Sequence, residues 1–166
     1  MNWHVAQLNV GRLIAPTSSP QVADFMAALD GVNALADRAP GFVWRLQSGS
    51  GNATDILVSA DAQFLVNMSV WESVEALFDF VYRSAHTGVM VRRRQWFEKP
   101  VELYLVLWWV PAGHIPTVEQ AMARLEHLRA HGPTPHAFGF KERYPAPGSE
   151  GAAEDMKPEL YCVGWA

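Results

Sequence analysis

One cysteine, Cys162, stands in 166 residues, so the chain has no internal disulfide and no cysteine-cluster metal site. Charge is also scarce: 18% of residues are Asp, Glu, Lys or Arg, against 49% hydrophobic and 11% aromatic. That is the reverse of a disordered composition, and the length suits one domain with its own core. No excess of positive charge is present. The net charge is −4, and Glu150, Glu154, Asp155 and Glu159 against Lys157 supply most of it. A nucleic-acid partner is therefore not expected. The longest apolar run, Leu103 to Val110, falls far short of the ~20 residues of a membrane span. The opening MNWHVAQLNVGR lacks the cationic and apolar blocks of a secretory signal. The expectations are no membrane association and a cytoplasmic location.

What is present is a regular succession of patterns. Trp3 to Gly11 reads as a strand, and Ser19 with Pro20 opens a helix carrying Val22, Phe25, Met26, Leu29, Val32 and Ala36 up to Pro40-Gly41. Phe42 to Gln47 and Phe64 to Trp71 read as strands, separated by a Gly/Ser/Asn/Asp segment, 48–61, expected to be a mobile loop. Ser73 caps a second helix with Val74, Leu77, Phe78 and Val81. After a break near Arg83-Ser84 the helical pattern resumes with Val89, Met90, Trp96 and Phe97. Leu103 to Val110 is the fourth strand. Thr117 and Gln120 form a capping box for a last helix lined by Val118, Met122, Leu125 and Leu128, closed by Gly132-Pro133.

The order β-α-β-β-α-β plus one helix predicts an α+β, ferredoxin-like domain over residues 1–144, followed by a Pro/Gly/acidic tail, 145–166. Residues 145–159 are expected to be dispensable for folding, with Leu160 to Trp165 as the segment able to dock. Beyond Pro135, Phe138-Gly139-Phe140 has packing capacity. The third and fourth strands are apolar on both faces, and a helical layer covers one. The expected cover for the other is the sheet of a second copy, giving a twofold homodimer with a β-barrel at its centre.

The string Val70-Trp71-Glu72-Ser73, ending a strand before a helix that contains Ala76, resembles the dimeric α+β barrel superfamily of antibiotic-biosynthesis and haem-degrading monooxygenases. The segments 6–12, 42–47, 66–73, 80–86, 92–98, 107–114 and 124–134 resemble an uncharacterised bacterial family within it. The haem-degrading relatives use an Asn at the end of the first strand, a Trp in the second helix and a histidine as axial iron ligand. The resemblance places the first on Asn9 and the last on His86. The Trp position is Phe80 here, which speaks against porphyrin breakdown more than against haem binding. In cofactor-independent relatives the same cavity holds a polyketide-like aromatic substrate. The resemblance thus implies either haem or no cofactor.

His86 is the titratable residue best suited to chemistry, because neutral imidazole can ligate iron or act as a general base; the alternative is a structural histidine bonded to backbone. Its position in the first turn of a helix favours the neutral form. Asn9 and Gln7 share one face of the first strand and either line a pocket or satisfy a sheet irregularity; Asn67 and Ser69 carry the same ambiguity. Arg92, Arg93 and Arg94 point about 100° apart on a helix, so one or two at most face a site; a solvated face with salt bridges is the competing use. His127 and His131 stand at i,i+4, with His114 and His136 nearby, but no Cys partner or H-E-x-x-H pattern supports zinc. Phosphate-loop, dinucleotide and nucleophile-elbow motifs are absent. The resulting expectation is a monooxygenase-like protein that binds a hydrophobic or aromatic ligand between sheet and helices. His86 would be the iron ligand or acid/base, Asn9 the hydrogen-bond donor, and Phe80 and Trp71 the apolar walls. The alternative is a non-catalytic dimeric binding or interaction module.

Overall fold

A computed structural model describes residues 2–149 and 154–155; the segment Leu160 to Trp165 and most of the expected tail lie outside them. Four strands, β1 (Trp3–Arg12), β2 (Phe42–Arg45), β3 (Phe64–Trp71) and β4 (Leu105–Pro111), form one sheet in the order β2-β3-β1-β4. Every neighbouring pair is antiparallel. With α1 (Ala23–Asp37) after β1 and α2 (Val74–Arg83) after β3, this is the ferredoxin-like βαββαβ arrangement. A short helix, α3 (His86–Arg92), and a 3-10 turn, Arg93–Gln95, fill the path to β4, and α4 (Val118–His131) follows it.

Local chemistry sets the element ends. Ser19 accepts from the Gln21 N–H ahead of a 3-10 turn at Pro20–Val22, and Ser73 accepts from the Ala76 N–H to open α2. Thr117 and Gln120 make the reciprocal capping box of α4. Gly41 joins α1 to β2 at φ +77°, and a Cβ there would lie 2.6 Å from that of Ala76, so only glycine lets α2 sit so close. In β2 a bulge between Phe42 and Trp44 breaks the alternation. Phe42 joins the α2 side with Trp71, whereas Trp44 packs on the opposite face.

Both faces of the sheet are covered, by different means. On one, Ala6, Leu8, Val10, Val66, Met68, Val70, Val106, Trp108 and Val110 pack against Ala121, Leu125 and Leu128 of α4. The sequence assigned this face to a second copy; α4 of the same chain covers it instead. On the other face, α2 delivers Leu77 and Phe78 onto Val5, Trp71 and Leu107, and Phe138 and Phe140 return from beyond α4 to close the same cluster. The 137–139 segment also bonds the free edge of β4, with Leu107 and Phe138 exchanging both backbone hydrogen bonds. Glu142–Arg143 (β5) pairs with Glu154–Asp155 (β6), so the described part of the tail returns to the domain. The loop after β2, expected to be mobile, is tied down: Arg45 donates to the Gly51 carbonyl, Asn33 to Asn52 Oδ1, and Ser48 to Asp55.

The α4 contact generates a first prediction. Leu125 is fully buried against the sheet. Leu125→Ala should lower unfolding free energy by about 2–5 kcal/mol in urea titrations, while Val101→Ala, at a side chain 96% exposed, leaves the midpoint unchanged.

Candidate functional site

Between the α1/α3 layer and the sheet lies a cavity of about 720 Å³, within the ordinary range of small-molecule sites. Its roof is the apolar stripe of α1: Phe25, Ala28, Leu29, Val32 and Ala36 all line it. Among the α1 residues only Ala36 is buried; Phe25 packs on Trp96 and Phe97, while Ala28, Leu29 and Val32 are half-buried where they border the cavity. Its floor is the part of the sheet that carries polar and small residues in place of aliphatics, namely Gln7, Asn9 and Gly11 of β1 with Asn67 and Ser69 of β3. Antiparallel register sets Gln7 opposite Ser69 and Asn9 opposite Asn67.

These side chains form one directed relay. Asn9 Nδ2 donates to Gln7 Oε1 at 3.3 Å, and Gln7 Nε2 donates to Asn67 Oδ1 at 2.7 Å and to Ser69 Oγ at 3.0 Å. The Trp71 indole N–H donates to the same hydroxyl at 2.8 Å. The buried Gln7 is thereby satisfied, and its orientation determines what the floor presents. Asn67 spends its oxygen on Gln7 and keeps its Nδ2 donor for the cavity; although it sits mid-strand, it is exposed. Asn9 keeps its oxygen and a second N–H.

One end wall is a stack of three rings. Trp71 lies 5.0 Å from Phe80 at 28°, and Phe80 lies 4.8 Å from His86 at 32°. His86 Nδ1 meets the Val81 carbonyl at 3.3 Å. A carbonyl only accepts, so Nδ1 carries the proton and Nε2 keeps its lone pair. Burial, and secondarily the positive charge of Arg93, holds this imidazole below its ordinary pKa and so neutral, against the opposing effect of the Val81 bond. His86, Asn9, Phe80 and Trp71 therefore line a single cavity.

At the other end, Arg93 alone of the three consecutive arginines turns inward. Arg92 pairs with Asp24 at 2.8 Å and lies over Trp96, and Arg94 is exposed. The Arg93 guanidinium lies 4.3 Å from the Phe97 ring centroid and 5.1 Å from that of Tyr104. Gly11 makes room for it, since a Cβ there would meet Arg93 Nη2 at 2.6 Å and the Phe97 ring at 2.7 Å. The sequence left Arg93 undecided and gave no reason to single out Gly11, because only the fold brings the two together. The remaining histidines lie elsewhere. His127, His131 and His136 have neighbouring rings, but Arg124 donates to His136 Nδ1 at 2.9 Å. Among the described residues no His, Cys, Asp or Glu group is arranged to hold a metal ion.

Comparison with known proteins adds a family and a set of distant structures. A family model described as Domain of unknown function (DUF3291) matches residues 4–154. No curated protein matches. Among solved structures, the NE2512 protein of unknown function from Nitrosomonas europaea is 12% identical with a TM-score of 0.43, over 69% of this chain and 96% of its own. A putative antibiotic biosynthesis monooxygenase from Chloroflexus aurantiacus is 16% identical with a TM-score of 0.41, over 68% and 97%. A monooxygenase from Streptomyces coelicolor, from the gene ActVA-Orf6 and in complex with Nanaomycin D, is 18% identical with a TM-score of 0.40, over 69% and 91%.

A second prediction concerns the wall histidine. By NMR, His86 should titrate below the ordinary 6.5, and Arg93→Gln should raise its midpoint, because one of the two causes of the depression is removed. Since the folded value is the lower one, the stability contributed by neutral His86 is present above pH 6.5 and is lost as pH falls toward the folded midpoint.

Proposed function

The chain belongs to the family described as Domain of unknown function (DUF3291), and from that premise we propose that it binds a flat hydrophobic or aromatic molecule in this cavity and oxygenates it as a monooxygenase does. One arrangement carries the reading: the Nε2 lone pair of a neutral His86 and the half-buried apolar residues Ala28, Leu29 and Val32 of α1 border the same space above a polar amide floor. A mostly apolar cavity with a few convergent polar groups is the usual form of a small-molecule site.

A phenolic or anthrone-type molecule lying between α1 and the sheet brings its acidic C–H or O–H to His86 Nε2. The imidazole takes that proton, while Asn67 Nδ2 and the second N–H of Asn9 hold the oxygen on which negative charge collects. Dioxygen is the oxidant. It adds to the electron-rich carbon, and the proton returns from His86 to give a hydroperoxide, which loses water to leave a carbonyl. For an anthrone the balance is one CH₂ and one O₂ in, one C=O and one H₂O out. Trp71 and Phe80 supply the apolar wall that keeps bulk water from the carbanion.

A haem is the second candidate ligand: an imidazole bonded through Nδ1 to the Val81 carbonyl and free at Nε2 would be able to hold its iron. Bound haem would supply an oxygen-activating iron held by His86, which then ligates instead of acting as the base.

Two titrations test the reading. Haemin should give a saturable, shifted Soret band at one site per chain, lost in His86→Ala and kept in His127→Ala. Equal spectra for wild type and His86→Ala remove the iron role. With anthrone, an oxygen electrode should record uptake that His86→Ala lowers by roughly 10²–10⁴-fold with binding kept. Binding without uptake in the wild type, with or without haemin, replaces the enzyme by a small-molecule-binding module.

A further inference from the structure

The cavity contains a cation without an anion. Arg93 is partly buried, its Nη2 donates to the Val10 carbonyl at 3.1 Å, and its Nε is buried with no acceptor. Other described arginines in ion pairs meet exposed carboxylates: Arg12 with Asp61, Arg83 with Asp79, Arg92 with Asp24, Arg129 with Glu102 and Glu126, and Arg143 with Glu75. Arg45, the other arginine lining the cavity, is held by Asp37 at 2.8 Å. The acidic side chain that lines the cavity, Glu142, accepts from the Tyr144 hydroxyl at 3.0 Å. Arg93 therefore has two aromatic faces and a carbonyl, but no negative charge among the described residues.

A guanidinium taken out of water is costly unless an anion completes it. The guanidinium carbon lies over the rings of Phe97 and Tyr104, Nε is buried and Nη2 gives one N–H to Val10, so the Nη1 donors and the second Nη2 N–H are those left for a carboxylate. Gly11 keeps this position open on the sheet side, and the room it leaves is taken by the guanidinium itself. We propose that Arg93 is the anion-recognition residue of this cavity and that the ligand is a flat aromatic molecule bearing a carboxylate. The inference rests on the aromatic-ligand reading above and adds the charged group that the ligand carries.

Position sets the size of the molecule. His86 and Arg93 are seven residues apart along α3 and the turn that continues it, two helical turns and so on one side, about 10 Å along the axis. A carboxylate on Arg93 then places a body of two or three fused rings beneath His86, over Asn9 and Asn67. The carboxylate of a small polycyclic acid and the propionate of a haem share this chemistry.

The experiment compares anthracene-2-carboxylate, its uncharged carboxamide and haemin, each titrated into wild type, Arg93→Gln and Arg93→Lys with tryptophan fluorescence as readout and circular dichroism as a check of folding. The acid should bind at least tenfold tighter than the amide in the wild type. Arg93→Gln should abolish that preference without weakening the amide, and Arg93→Lys should keep part of it. Arg93-dependent binding of haemin, with neither small molecule bound, identifies propionate as the carboxylate. Equal affinity of acid and amide in the wild type, with haemin unaffected by Arg93→Gln, overturns the assignment of Arg93 and leaves the aromatic cavity standing. No binding of any of the three overturns both. Should Arg93→Gln fail to fold, Arg93→Lys decides: a preference it leaves unchanged belongs to Arg45 or Lys141, which also line the cavity, and overturns the assignment.

Discussion

The packing of α4 on the Ala6–Val70–Trp108 face of the sheet is the constraint from which the rest of the molecule follows. A four-stranded sheet of this size needs apolar burial on at least one face, and here that burial is supplied on the side away from α1. The opposite face is thereby released from holding the fold together along its whole length. Its α2 half is packed by Leu77, Phe78 and Phe138, and its other half carries amides and a glycine. A cavity at the centre of a small domain is tolerable because the hydrophobic stabilisation lost there is supplied by the α4 layer.

Polar groups on a sheet face that looks inward carry a desolvation cost unless each finds a partner. The relay from Asn9 through Gln7 to Asn67 and Ser69 meets it with side chains that the β1–β3 register places directly opposite one another. The same bonds that satisfy Gln7 orient the donors left over. The floor is therefore pre-organised: what it offers a ligand is determined by pairs already made, which is the condition for electrostatic stabilisation without reorganisation.

Local signals made most of the fold legible in the sequence. Phe64 to Trp71 is an apolar run of strand length, Ser73 and Thr117 are caps with their partners at the right spacing, and Gly132 ends the last helix; each is decided within a few residues. The face that α4 covers was not legible, because a 3.6-residue period reveals a stripe without naming the surface it meets. Nor was the split of Phe42 and Trp44 to opposite faces, since a bulge is invisible to a two-residue alternation. Around the cavity, His86, Asn9, Phe80 and Trp71 were singled out through the resemblance to the haem-degrading relatives; the residues alone left structural alternatives open for His86 and Asn9. Arg93 was not separable from Arg92 and Arg94, because the direction of each depends on where α3 ends and the 3-10 turn begins.

The pairing of Leu107 with Phe138 at one margin of the sheet and the bulge in β2 at the other have a consequence for how the chain behaves in company. An open strand margin is a template on which a neighbouring molecule can add a strand, and growth of that kind leads to aggregates. Here the β4 margin is partly occupied by the chain's own return segment. The β2 margin is four residues long, twisted by its bulge, and ends at Arg45, which is held to Asp37. Neither side offers a long flat template, so a sheet rich in valine, leucine and tryptophan is protected against intermolecular growth by its own topology.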